Sequence, residues 1–395
     1  MTQASYRQVL RRRRLAVFLA GDAVSKAGDG MVVVALPLQT QRIHGGIHLA
    51  VAIALIEAAP YLLPVTLSLV VGLGRRRFDP RRVLILDCVV RAVMFGGISI
   101  LALTGNLTLW VLGGALFIGS GCRLMANAAR RLIATDLATT GEQLAVNGLL
   151  GTSDSLAAYI AGPVLGGILA AAISPGFVLG VEAVSFLALL AVGLACAPGR
   201  VPPAEAPATG WSILRQVPFA ARMFVVVFCF DAFYGPVEVA LPLLIRGPLH
   251  SGGAALGRVW TAFGIGALIG ALATNQLRRL PPMTVLVGII AGWGASVVLL
   301  ATASNVPTAA LALAIGGLIW APFTPVLYTL LQGELTPAQQ QPIITLWSAG
   351  ASVAMPCGLL LSGPLIQTAG ARAGLVVSSL LTLALVPVAA TALRR

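Results

Sequence analysis

The stretch LAVFLAGDAVSKAGDGMVVVALPL, Leu15 to Leu38, decides how this chain is read. It is long enough to cross a bilayer, since a spanning helix needs about 20 mostly apolar residues, yet it carries Asp22, Lys26 and Asp29. At positions i, i+4 and i+7 these charges share one helix face. On insertion scales each charge near the middle of a span costs roughly 2.5 to 3.5 kcal/mol, whereas each Leu, Ile, Val or Phe returns roughly 0.3 to 0.6. The apolar residues here do not offset that. Lys26 can pair with one acid within the helix, and the other carboxylate has to face a partner helix or a water-filled cavity.

Composition extends this reading to the whole chain. Of the 395 residues 58% are hydrophobic and only 10% charged, against about 25% charged in a soluble domain. A polytopic membrane protein is therefore expected. The formal charge of +13 could suggest nucleic acid, but the distribution of the basic residues argues against it. Arg42, Arg246, Arg258 and Arg372 fall on one side of the predicted spans, Lys26, Arg91 and Arg123 fall inside them, and all the others, Arg130 among them, fall on the opposite side. By the positive-inside rule both termini are cytoplasmic. The N-terminal apolar run is interrupted by charge and no small-residue cleavage site follows it, so a retained first span is expected rather than a signal peptide. The excess of Arg over Lys points to a GC-rich bacterial genome, and hence to the bacterial inner membrane. Cys88, Cys122, Cys196, Cys229 and Cys357 all lie in apolar runs and read as small core residues, not as disulfides or metal ligands.

Apolar runs separated by short polar loops place spans near 15–38, 48–71, 83–103, 107–129, 148–172 and 176–197. A Pro- and Ala-rich stretch follows at 198–210, with an amphipathic WSILRQV after it that reads as a surface helix. Six further spans lie near 221–245, 254–277, 283–303, 306–331, 343–366 and 373–392. The expectation is an all-α protein of twelve transmembrane helices in two six-helix bundles, 1–197 and 221–395, joined by a linker at 198–220. Internal echoes support a duplication: VALPL occurs at Val34 to Leu38 and again at Val239 to Leu243, and AGP at Ala161 to Pro163 is answered by SGP at Ser362 to Pro364. Parallel six-helix repeats with sites at their interface describe one large class of secondary transporter. In this register Lys26 falls opposite Asp231.

These residues resemble the major facilitator superfamily, and within it the exporter branch that includes macrolide efflux proteins and siderophore (enterobactin) exporters. Gly21 to Leu38 is similar to that branch's first helix, and FYGPVEVALPLL from Phe233 with AFGIGALIGAL from Ala262 is similar to its seventh and eighth. AAYIAGPVLGG resembles the antiporter signature of helix five, carried here by Gly162, Pro163, Gly166 and Gly167. Glycine lets helices approach closely, and proline bends the helix and frees a carbonyl. The loop after span two matches the superfamily's cytoplasmic gate loop at Gly72, Arg77, Asp79, Arg81 and Arg82, but Arg75 and Arg76 stand where the family has Ala-Asp. The resemblance therefore implies a charge lock that is absent or rebuilt around Asp79 and Asp136, and TPAQQQPI at Thr336 to Ile343 stands in place of a basic stretch on the matching loop of the second half.

Eight acids fall inside the predicted spans: Asp22, Asp29, Glu57, Asp87, Asp154, Glu182, Asp231 and Glu238. Asp79, Asp136, Glu142, Glu205 and Glu334 fall in loops. Ionisable groups at membrane depth are functional candidates by default. Asp87 and Arg91, at i and i+4, read as a structural ion pair. Asp154 and Glu182 read as hydrated positions near helix ends, with a coupling role as the alternative for each. Asp22, Asp29, Glu57, Asp231 and Glu238 lie on spans one, two and seven, which line the cavity in the family, and are the candidates for proton coupling. Lys26 is their partner or a competitor displaced by proton or substrate. Arg123 is a proton-relay arginine or a partner for Asp22 or Asp154. With Asp87 and Arg91 set aside, the remaining acids outnumber Lys26 and Arg123, which favours a neutral or cationic amphipathic substrate over an anion.

His44 and His48 share a Gly-rich outer loop without a third ligand, so no metal is expected. No phosphate-binding G-x-x-x-x-G-K-[ST] loop and no catalytic constellation occur, so neither nucleotide-driven transport nor an enzyme is expected. The expectation is a cofactor-free, proton-driven exporter, monomeric, with a small molecule, protons and the lipid bilayer as its partners. An importer or facilitator of the same fold, a lysolipid flippase and a non-transporting membrane sensor remain open at this point.

Overall fold

The computed structural model describes residues 9–70, 79–139, 142, 146, 149–151, 153–196 and 210–392. The regular structure of these residues is helical. The first part comprises α1 (Arg13–Ile43), α2 (Leu49–Val70), α3 (Pro80–Leu103), α4 (Leu109–Gly119), α5 (Arg123–Asp136), a π-helical stretch (Asp154–Ala161) that runs into α6 (Gly162–Ala172), and α7 (Pro175–Cys196). The second comprises α8 (Gly210–Gln216), α9 (Pro218–Arg246), α10 (Gly253–Ala273), a 3-10 turn (Thr274–Arg279), α11 (Pro282–Ala301), α12 (Val306–Trp320), α13 (Phe323–Glu334), α14 (Pro337–Ala369) and α15 (Ala371–Ala392).

Ten helical segments are long and apolar enough to cross a membrane. With α1, which has 31 residues but holds the three charges, and the divided crossing α4–α5, they make up the expected twelve. Val93, Trp110, Leu272 and Leu361 are each at least 71% exposed, as suits side chains that meet lipid instead of water. The fourth and tenth crossings are both broken. Gly119 ends α4 and Gly121 lies in the first break, while Pro322 lies in the second and Pro325 in the first turn after it, residues that weaken or interrupt the helical ladder. The eleventh crossing starts earlier than hydropathy suggests. TPAQQ folds as a capping box in which the Thr336 N–H donates to Gln339 Oε1 at 3.1 Å, so polar residues open α14 at Pro337. The turn from α14 to α15 is Gly370 alone, at φ 85°, where a side chain would be strained.

Packing gives two apolar cores. One is built from residues of the first six crossings, the other from residues of the last six together with Val34, Ala50, Ile53, Ala54 and Ala58. The WSILRQV segment forms α8 as far as Gln216, with Ile213 and Leu214 buried in the second core and Arg215 and Gln216 exposed. Of the cysteines, Cys88 and Cys196 are buried and Cys357 is exposed, so the expectation of core cysteines fails for Cys357, on the outer face of α14.

The two sets of helices close against each other at the end that carries the 44–48, 173–174 and 247–252 turns. A Cβ added to Gly167 on α6 would come 3.1 Å from the Gly257 Cα on α10, and one added to Gly363 on α14 would come 3.0 Å from the Val51 Cα on α2. Arg246 donates to Gln41 Oε1 at 3.2 Å across the same seam.

Candidate functional site

Between the two sets of helices lies a cavity of about 370 Å³. Its walls come from α1 (Lys26, Asp29, Pro37), α2 (Glu57, Tyr61), α3 (Arg91), α5 (Arg123, Asn127), the π-helical stretch (Tyr159), α9 (Glu238, Pro242) and α10 (Trp260). Five of the candidate residues, Lys26, Asp29, Glu57, Arg123 and Glu238, thus meet in one space. The duplicated VALPL places a proline of each copy, Pro37 and Pro242, on opposing walls. Proline inside these helices leaves a carbonyl without its usual partner, which is tolerable where the helix lines a cavity.

Glu57, Glu238 and Arg123 are electrostatic neighbours. The Arg123 guanidinium lies 5.1 Å from the centre of the Tyr61 ring, within cation–π range. Tyr234 stands beside Glu238, and Tyr159 and Trp260 complete an aromatic surface. Two acids here face one base.

On the opposite wall Arg91 Nη2 meets Asp29 Oδ1 at 3.2 Å and its guanidinium stacks 4.2 Å from the Phe186 ring centre. The expected Asp87–Arg91 pair is therefore corrected. Arg91 turns away from its own helix towards α1, where it gains both a carboxylate and an aromatic face, and neither oxygen of the buried Asp87 has a hydrogen-bond partner. Arg130 is corrected too. Expected on the cytoplasmic side, it is buried, and its Nη1 pairs with Asp22 Oδ1 at 3.4 Å. The cause is the break at Gly119–Cys122: α5 starts afresh inside the bundle, and Arg130, seven residues after Arg123, shares its inward face. The partner of Asp22 is thus Arg130 and not Arg123. With Arg91 and Arg130 among the interior cations, the cavity wall carries Lys26, Arg91 and Arg123 against Asp29, Glu57 and Glu238, a balance instead of the expected acidic excess.

Asp22 and Asp231 do not line the cavity. Asp231 is half-buried on α9, and no ion pair joins it to Lys26 among the described residues. Glu182 is fully buried, not near a hydrated end. The side chain of Asp154 lies outside the described residues.

Of the gate-loop residues, Gly72 and Arg77 lie outside the described residues. Asp79 caps α3, accepting from the Arg81 N–H at 3.0 Å and meeting Arg82 Nε at 3.3 Å, and Arg81 donates to the Leu194 carbonyl of α7 at 3.2 Å. Asp79 is thereby committed to its own helix start, and among the described residues no hydrogen bond or ion pair joins it to Asp136 at the end of α5. The polar link found at this end belongs instead to Glu142, which the sequence marks only as a loop acid. Glu142 Oε1 meets Arg12 Nε at 3.1 Å, and its Oε2 accepts from the Thr139 N–H at 2.8 Å. That amide holds the Glu142 carboxyl below its ordinary value, and Arg12 adds to the effect. T-x-x-E at 139–142 is the signal that sequence alone offers.

The antiporter-like motif lies where two neighbours press on it. A Cβ on Gly162 would come 2.5 Å from the Ala27 carbonyl oxygen of α1, and one on Gly166 2.7 Å from that of Met31, while Gly167 faces α10. The π-helical turn just before Pro163 carries the adjustment that proline imposes on the ladder. No group of three or more metal-ligand residues occurs among the described residues. His44 Nδ1 lies 2.8 Å from the Ile47 carbonyl, and His48 Nδ1 accepts from the Ala50 N–H at 3.3 Å, so both imidazoles serve the turn that holds them.

Comparison with known proteins agrees with this architecture. The chain is 25% identical over 375 residues to the multidrug efflux pump Tap of Mycobacterium tuberculosis, covering 90% of this chain and 88% of that one. It is 26% identical over 399 residues to Tap of Mycolicibacterium fortuitum, covering 94% and 93%. Among solved structures it superposes on the nucleoside transporter NupG with a TM-score of 0.79 at 11% identity, covering 97% and 99%. It superposes on a bacterial homologue of the iron transporter ferroportin in an inward-facing state with a TM-score of 0.74 at 16% identity, covering 97% and 99%; at such identities the likeness concerns the fold. The profile of the Major Facilitator Superfamily matches residues 19–334, and the chain belongs to that family of multi-pass membrane transporters.

Proposed function

We propose that this transporter is an exporter that exchanges protons for a neutral or cationic amphipathic small molecule, such as an antibiotic or another natural product. The observation that carries the reading is the cavity at the seam, where carboxylates from both sets of helices, Asp29 and Glu57 on one side and Glu238 on the other, meet beside an aromatic surface. Near Tyr61, Tyr159 and Trp260 two acids face one arginine, so a flat apolar body with a positive end finds both of its complements. The balance of charge over the cavity as a whole disfavours a net anion less strongly than an acidic excess would, and the preference for a cation is set by that wall alone. The efflux activity of the Tap relatives supports export as the direction.

The closed seam supports alternating access. With Gly167 on Gly257 and Gly363 on Val51 sealing one end, cargo enters the cavity from the other, and the distribution of basic residues supports a cytoplasmic position for that end. Cargo binds there, and rocking of one six-helix set against the other re-exposes it. A proton entering down a 100 mV potential supplies about 2.3 kcal/mol. The test is efflux in inside-out vesicles over a panel of natural products, with and without an imposed pH gradient. Gradient-dependent accumulation supports the reading. Uptake that follows only the substrate's own gradient would replace it by a facilitator.

A further inference from the structure

Behind the Asp29–Arg91 wall lies a second group of charges that never reaches the cavity. Glu182 on α7 is 0% exposed and Asp87 on α3 is 1% exposed. Glu182 Oε2 accepts from the Ser185 hydroxyl at 2.8 Å, while Oε1 has no hydrogen-bond partner. The Glu182 carboxyl presses on the backbone of Gly28, where a Cβ would collide with it. Asp29, one residue further along α1, places its own carboxyl within hydrogen-bonding reach of Glu182, and Arg91 is a neighbour of both.

Two carboxylates cannot hydrogen-bond to each other, whereas a carboxyl and a carboxylate can. The surroundings supply too few cations to ionise every acid. Asp22 and Lys26 lie on the same helix as Asp29, Asp87 lies with Arg91 on α3, and Arg130 on α5 is already engaged by Asp22. Arg123 and Arg130 also act on Asp29 and Asp87, but Arg123 stands between Glu57 and Glu238, and Arg91 is the guanidinium that neighbours Asp29, Asp87 and Glu182 alike.

We propose that Glu182 holds the exchanged proton and that Arg91 is the cation it releases or draws back: with Glu182 protonated Arg91 binds Asp29, and with Glu182 ionised Arg91 moves to it and frees Asp29 for a cationic cargo. The inference rests on the antiport reading and deepens it. The proton leaves the Glu182 carboxyl for the Asp29 carboxylate, which is 30% exposed at the cavity, and passes from there to water. Glu182 is left as a carboxylate, and no other bond is made or broken. The Phe186 ring, stacked under Arg91, keeps one face of the guanidinium covered in either position. Proton and cargo thus compete for one carboxylate through one arginine, which is the exclusion that an exchanger requires.

The test joins infrared difference spectra of the full-length protein in lipid vesicles with transport of ethidium. Wild type should show a protonated-carboxyl band that disappears on alkalinisation and is missing in Glu182→Gln, which keeps the acceptor for Ser185. Ser185→Ala removes a hydrogen bond that favours the carboxylate, so the band should persist to higher pH. In Glu182→Gln, where Arg91 stays on Asp29, the pH-driven accumulation of ethidium and its counterflow without a gradient should both fall at least tenfold. A band that survives in Glu182→Gln, or that is lost in Asp87→Asn instead, overturns the inference and leaves antiport standing. A band that follows Glu182 in a protein whose ethidium flux ignores the pH gradient overturns the exchange and the antiport reading together.

Discussion

Arg130 and Asp22 form an ion pair at 3.4 Å in which the side chains are 4% and 2% exposed. It ties α5 to α1 beneath the Phe186 ring, whose centre is 5.9 Å from the Arg130 guanidinium carbon. Breaking a buried pair by removing one member costs about 3 to 5 kcal/mol. Asp22→Asn and Arg130→Met are each expected to lower the melting temperature in detergent markedly. The double variant Asp22→Asn with Arg130→Met should be less damaging than the sum of the two, because it removes both charges together. Additive losses would mean that the pair does not act as a unit.

That pair also shows where sequence and structure part. The twelve crossings are legible because lipid imposes long apolar runs, and the cavity is legible in outline because charges at membrane depth are costly and have to be placed. Five of the seven named residues reach it for that reason. The pairings are not legible. Asp87 and Arg91 satisfy i, i+4 spacing, yet Arg91 turns to Asp29 on another helix, a choice set by tertiary neighbours that no local pattern encodes. Arg130 escapes a hydropathy reading because hydropathy marks where an apolar run fades, not where a broken helix continues inward as an amphipathic one. Glu182 escapes it for a related reason: one acid in a 22-residue apolar helix looks like an end effect until its depth is seen.

Glu142 gives the end of the bundle near α5 a dependence on acid. Its carboxyl is held below the ordinary value by the Thr139 amide first, with Arg12 contributing. A lowered folded value means that the stabilisation is fully present above the unfolded value near 4.3 and is lost as pH falls through the folded one. Arg12 is 45% exposed, so the ion pair itself is worth little and the amide hydrogen bond dominates. Glu142→Ala is expected to cost about 1 kcal/mol at neutral pH. Thermal melts at a series of pH values should show wild type and variant converging in acid. A constant difference would assign the loss to packing.

Gly257 sits where α10 meets α6, and a Cβ there would come 2.5 Å from the Pro163 carbonyl oxygen. Backbone cannot yield as a flexible side chain can, so the seam would have to part. Overpacking of this kind costs roughly 1 to 3 kcal/mol, charged only to the state in which this end is closed. Gly257→Val should therefore leave the protein folded, shift the population towards the state open at this end, and reduce turnover at least tenfold. Distances between spin labels on α6 and α10 would read the shift directly. Unchanged distances with normal turnover would mean that this contact does not form in the working cycle.

The aromatic wall allows recognition of cargo charge to be tested apart from coupling. If the positive end of the cargo lies between Glu57 and Glu238, then replacing both by Gln removes attraction for cations without touching the apolar surface of Tyr61, Tyr159 and Trp260. The apparent affinity for a lipophilic cation is expected to weaken about tenfold, a loss of about 1.4 kcal/mol, whereas a neutral probe of similar size should change less than twofold. Arg123→Met should act in the opposite direction, because it removes the one base that competes with the cargo for these acids. Binding titrations of the three proteins with a matched cationic and neutral pair decide the matter. Equal losses for both probes would show that the acids hold the wall together and do not read the cargo's charge.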